Sequence, residues 1–161
     1  IRDNILLGLQ LRHDRDPAHR RHAEVLLERY GLAEFADKHP GQLSGGMRQR
    51  CALIRTLATQ PDILLLDEPF SALDYQTRLA VSGDIWRIIR SEGKTALLVT
   101  HDISEAVSMS DRVVVLSRRP ATVKAVFDMG VLRPLPPMAR RENSAFSRYF
   151  DAIWKELELH E

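Results

Sequence analysis

The 161-residue sequence predicts an α/β fold: a parallel sheet, with a helical region ahead of it. Three observations lead there. The first 60 residues keep a helical period of apolar positions. From Pro61 the period changes to short apolar runs, "DILLLDEP" and then "TALLVT", with a helix-length stretch between them. Strand, helix and strand in that order are what a parallel pair and its crossover require. Two further runs, 112–117 and 122–128, flank a turn-forming "RRPA" and predict an antiparallel hairpin at the sheet edge.

The elements follow in order. Asp3 or Asn4 can cap a short helix ending near Leu11. Pro17 stands where a second helix begins, since its missing N–H costs nothing there. Ala23, Leu26, Leu27 and Tyr30 form the apolar face of that helix, and Gly31 sits where a C-cap glycine belongs. The polar link "DKHPGQ" leads into "QLSGGMRQR", after which Met47, Cys51, Ile54 and Ala58 share one helical face. "DILLLDEP" reads as a strand buried on both faces. A helix over 75–91, the strand "TALLVT" and a short helix after His101 come next. "RPLPP" at 133–137 then separates off a tail. In that tail Phe146, Tyr149, Phe150, Ile153, Trp154 and Leu157 repeat at helical spacing, as in a terminal helix docked on its domain or one offered to a partner. The chain thus divides into a helical part over 1–60, an α/β part over 61–132 and a tail over 133–161.

Composition narrows the function. Apolar residues make up 44% and charged residues 28%, ordinary values for a soluble globular protein. A net charge of +1 speaks against a dedicated nucleic-acid binder. The longest apolar runs, 63–66 and 113–116, fall far short of the roughly 18 residues of a membrane helix. The pair Arg2-Asp3 interrupts any signal peptide. The single cysteine, Cys51, excludes an internal disulfide and fits a reducing compartment. A chain that opens on Ile1 rather than methionine reads as a fragment missing its true start, in preference to a processed product.

Four stretches carry chemistry. In an open parallel sheet, ligands gather at the carboxyl ends of the strands. Asp67 and Glu68 stand at such an end. One carboxylate there can hold Mg²⁺, which keeps several waters, and its neighbour can orient or deprotonate an attacking water. They can equally be two acids that end a buried strand. His101 closes the next strand, where it can donate to a phosphate oxygen or cap the following helix. "SALD" at 71–74 has the turn and cap formers of a strand-to-helix loop. In "LSGG", Ser44 followed by two glycines opens a helix, which serves either as a cap and turn or as an anion grip. His13, His19 and His22 lie among arginines and read as a solvated helix face. "EGKT" at 92–95 imitates the end of a phosphate-binding loop. The first glycine of that motif would have to be residue 88, which is Ile88, and Gly93 follows a helix instead of opening one.

The order of these pieces is more specific than any one of them. LSGG and a helix, "ILLLDEP", "SALD" and a strand ending in "THD" together resemble the ATP-binding subunit of ABC transporters. Those four stretches look like the family's signature motif, Walker B strand, D-loop and switch histidine. The resemblance implies the C-terminal portion of a P-loop NTPase-like fold, with ATP and Mg²⁺ as ligands. Asp67 would hold Mg²⁺, Glu68 would be the general base and His101 would contact the γ-phosphate. Ser44, Gly45 and Gly46 would grip ATP held by a second subunit, the glycines letting the backbone come close, and Asp74 would lie at the interface between subunits.

The family pattern is not complete. Met47 stands where glutamine is common. The P-loop, the adenine-stacking aromatic residue and the glutamine loop, which the family places ahead of residue 1, are not in this sequence. By the resemblance, the chain alone would not hydrolyse ATP. "EPFSALDYQTR", "THDISEAVSMSDRVVVL", "RRPATV" and "DNILLGLQLR" look like the nitrate, sulfonate and taurine importers of bacteria. That implies a peripheral subunit on the cytoplasmic face of the cell membrane, paired with a second ATP-binding subunit and transmembrane permease subunits. An external substrate-binding protein would be an indirect partner, and nucleic acid would have no part. The rival readings are a non-transport ABC ATPase of DNA repair or translation, and a non-hydrolysing remnant that dimerises.

Overall fold

The computed structural model describes residues 1–158 and divides the chain into two compact units, Ile1–Leu97 and Leu98–Glu161. In the first unit, α1 (Arg2–Leu11), α2 (Pro17–Arg29) and α3 (Gly45–Leu57) pack on one another, and α3 also packs on α4 (Tyr75–Ser91). Ile5, Leu26, Leu27, Leu32, Ile54 and Leu57 are almost wholly buried and make the core of this helical region. At roughly 1.5–3 kcal/mol for each large aliphatic side chain withdrawn from water, they dominate its stability. Strand β1 (Ile63–Asp67) pairs with β2 (Thr95–Val99), and α4 is the connection between them.

Local chemistry sets the element ends. Asp16 caps α2 by accepting from the Ala18 amide at 2.8 Å, with Pro17 in the first turn. Gly31, at φ +68°, ends that helix, and Gly93, at φ +61°, turns the chain from α4 toward β2. The "EGKT" stretch is therefore a helix-ending turn. Helix α1 departs from the expected start. Ile1 is its cap residue and gives no side-chain cap, while Asp3 lies inside the first turn. A carboxylate there still faces the positive end of the helix.

In strand β1, within these 161 residues, Leu64 is fully buried while Ile63 is 57% and Leu65 74% exposed. Its single strand neighbour among the described residues is β2.

The second unit holds α5 (Ile103–Met109), the antiparallel pair β3 (Arg112–Leu116) and β4 (Val123–Asp128), α6 (Pro137–Glu142) and α7 (Ser144–Glu158). Val113 lies opposite Phe127 and Val115 opposite Ala125, with an irregularity after Val115. Val113 and Val115 point inward to Ile103, Val107, Met129, Leu132, Ala145 and Ile153, which form one cluster. The connector 133–137 is folded onto this unit, and Pro137 is buried. Helix α7 docks on α5 and the hairpin through Ile153, with Phe146, Tyr149 and Phe150 partly covered. Trp154 and Leu157 stay exposed, Trp154 stacking on Phe150 at 6.4 Å. The tail's last three residues, 159–161, lie outside the described residues.

Candidate functional site

Three of the candidate residues open α3. Ser44, exposed and in extended conformation, caps the helix: its Oγ accepts from the Met47 amide at 3.3 Å and its carbonyl from the Arg48 amide at 3.0 Å. Leu43 is buried just ahead of it, and Arg48 donates to the Leu43 carbonyl at 2.5 Å. The amides of Gly45 and Gly46 lie in the first turn, where a helix has no internal acceptor to offer them. Their partial positive charge and the Ser44 hydroxyl form a donor set that suits a phosphate oxygen.

The two glycines have a role that the sequence did not disclose. A Cβ placed on Gly46 would stand 2.7 Å from Cγ2 of Val81, and one on Gly45 would stand 3.0 Å from Cδ2 of Leu73. The missing side chains are thus replaced by residues of the same unit. The absence of side chains at Gly45 and Gly46 lets the first turn of α3 lie this close to α4 and to the turn before it.

The carboxylates stand at the end of β1. Asp67 is its last residue and is exposed. Glu68 follows with φ +45°, a left-handed conformation that a non-glycine residue rarely holds. Two bonds fix it: the Ser71 amide and hydroxyl both donate to the Glu68 carbonyl, at 3.2 and 3.0 Å. Phe70, fully buried, anchors the turn, and the Leu73 amide donates to its carbonyl at 3.1 Å. Asp74 then caps α4, accepting from the Thr77 amide at 3.0 Å. Hydrogen bonds from Thr77, side chain first and then backbone, hold the Asp74 carboxyl below its ordinary pKa.

His101 belongs to the second unit and is exposed. The cap of α5 is its neighbour Asp102, which accepts from the Glu105 amide at 3.1 Å. Thr100 completes the turn: its Oγ1 donates to the buried Glu105 carboxylate at 2.8 Å and accepts from the Asp102 amide at 3.0 Å. The N-cap position of α5 is thus filled by Asp102, with His101 directly ahead of it.

The structure therefore brings the LSGG segment and the SALD turn together in one unit, with Asp67 and Glu68 leading into that turn, and sets His101 in the other unit. Phe70, Leu73, Val81, Thr100 and Glu105 were missed as supports. Only the Asp-x-x-Glu spacing of Asp102 and Glu105 signalled its role, as a capping box does. No cluster of three or more His, Cys, Asp or Glu side chains fit to hold a metal occurs among the described residues. A single exposed carboxylate, Asp67, fits Mg²⁺, which takes one or two carboxylates and completes its shell with water and phosphate.

Residues 1–71 match the model of the ABC transporter family. The chain is 45% identical over 158 residues to an uncharacterized ABC transporter ATP-binding protein of Bacillus subtilis, covering 98% of this chain and 61% of that one. It is 37% identical over 161 residues to a taurine import ATP-binding protein of Ruegeria pomeroyi, covering 96% and 60%. It thus spans about three fifths of the length of these curated relatives. Among solved structures, one described as a metal-chelate type ABC transporter in an inward-facing conformation superposes with a TM-score of 0.65 at 22% identity. That superposition covers 80% of this chain and 51% of the other, and it shows a shared fold.

Proposed function

We propose, from the premise that this chain belongs to the ABC transporter ATP-binding family, that it supplies the signature half of an ATP site completed by a second subunit. The observation that carries this is the Ser44-capped start of α3, whose free amides and hydroxyl suit an anion. No phosphate-binding loop occurs in these 161 residues. By the resemblance to the family, the nucleotide gripped by Ser44, Gly45 and Gly46 is held by the phosphate-binding loop of the partner subunit.

In this reading a pair of subunits has two sites, each formed by the Ser44 grip of one chain and the Asp67, Glu68 and His101 of the other. Ser44 and the amide of Gly46 contact phosphate oxygens, and Asp74 lies at the subunit interface. Asp67 holds Mg²⁺, which when bound neutralises charge on the phosphate oxygens. Glu68 takes the proton of the attacking water, its backbone fixed by Ser71. His101 donates to the γ-phosphate from the frame of Thr100, Asp102 and Glu105. The subunit sits on the cytoplasmic face of the cell membrane against permease subunits. Among the described residues no helix is long and apolar enough to cross the membrane. The transported substrate is a small anion of the nitrate, sulfonate or taurine type, delivered by an external binding protein. The name of the Ruegeria relative and the motifs quoted above support it, and no residue of this chain is assigned to touch it.

The test is Glu68→Gln in the assembled ATPase. ATP binding should persist while turnover falls by about 10²–10⁴, the usual contribution of a positioned base. Turnover at the wild-type rate would remove Glu68 from that role.

A further inference from the structure

We propose that Val81, with Leu73 beside it, is a positioning residue for the phosphate-gripping turn. Its side chain occupies the space that a Cβ on Gly46 would need. This rests on the ATPase reading above and adds to it a contact within the chain that sets where the grip stands.

The argument is steric. Gly46 is buried, and the direction its Cβ would take leads to Val81 Cγ2 at 2.7 Å, a separation that real Cβ atoms essentially never show. Val81 is itself 4% exposed and sits in the middle of α4. Being branched at Cβ, it has little rotamer freedom with which to yield. Gly45 meets Leu73 Cδ2 at 3.0 Å. The Leu73 backbone is held through both of its polar groups: its amide donates to the Phe70 carbonyl at 3.1 Å, and its carbonyl accepts from Arg78 at 3.2 Å. The first turn of α3 thus rests on two side chains, one from the SALD turn and one from the helix that Asp74 caps. A shift of that turn carries the Ser44 grip with it. The Gly-Gly pair is accordingly a packing requirement within the subunit, and Val81 acts through Gly46 on the phosphate contact.

A double-mutant cycle tests this. Gly46→Ala, Val81→Ala and the pair are compared by ATP turnover in the assembled enzyme and by melting temperature of the 161-residue chain. Gly46→Ala alone should cut kcat by about tenfold or more, as small misplacements of reacting groups do, with KM for ATP little changed. Val81→Ala makes room for the new methyl, so the double variant should return to within about threefold of Val81→Ala. Rescue of both kcat and melting temperature supports the proposal. Rescue of melting temperature alone makes the contact purely structural and overturns the positioning role. Additive losses in both overturn the contact itself, leaving Gly46 constrained only by its ligand. A wild-type assembly without turnover sinks the ATPase reading and the positioning role with it, while the melting cycle still reports on the packing.

Discussion

At Glu68 the backbone is held at φ +45°, and the Ser71 amide and hydroxyl are what hold it. A non-glycine residue in the left-handed region costs on the order of 1–3 kcal/mol and persists where the surroundings over-determine it. Glu68→Gly should therefore leave the melting temperature of the chain unchanged or raise it, while abolishing turnover in the assembled enzyme. A fall in melting temperature would show that the carboxylate stabilises the fold. Asp74 gives a prediction in pH. Its folded pKa lies below the ordinary value of 3.8, so its contribution to α4 is fully present above that value and is lost as pH falls through the lower, folded one. Amide exchange at the start of α4 should quicken below about pH 4, and Asp74→Asn, which keeps a capping oxygen, should flatten that response. An identical acid response in the Asn variant would assign it to another group.

Among the elements, those with chemical punctuation were legible and those made by tertiary contact were not. Helix α4 runs from the Asp74 cap to the turn at Gly93, and its span was read in full. In α1, Asp3 and Asn4 resemble caps in the sequence but lie within the helix. Helix α6 is too short to show a helical period: its six residues are "PMARRE". Yet Arg140 within it is fully buried. Its guanidinium donates to the carbonyls of Leu135 and Arg133, both at 2.8 Å, and of Ser110 at 2.5 Å, with Asp111 at 3.5 Å. It ties α6 to the end of α5. Arg140→Met would leave those carbonyls without their shared donor, and we expect a loss of about 3–5 kcal/mol in urea unfolding of the second unit. Lysine cannot reproduce the planar fork and should rescue little. A loss below about 1 kcal/mol would make the buried guanidinium incidental.

For the molecule as a whole, the motifs were legible because each is a short run of residue types that a local geometry demands: a cap, a turn, a strand end. How they support one another was not. The sequence places Gly46 and Val81 35 positions apart and says nothing of the 2.7 Å that would separate them. The central claim, that the LSGG segment completes an ATP site in another subunit, is tested most directly by turnover in mixed two-subunit assemblies whose chains also carry the family's phosphate-binding loop. Ser44→Arg disables the grip and Glu68→Gln disables the base. If the grip acts in trans, both substitutions on one chain, paired with a wild-type chain, leave no intact site. Split between the two chains, they fall in the same site and leave the other whole. Turnover retained in the split assembly and lost in the one-chain assembly is the predicted result, and the reverse pattern would contradict the account.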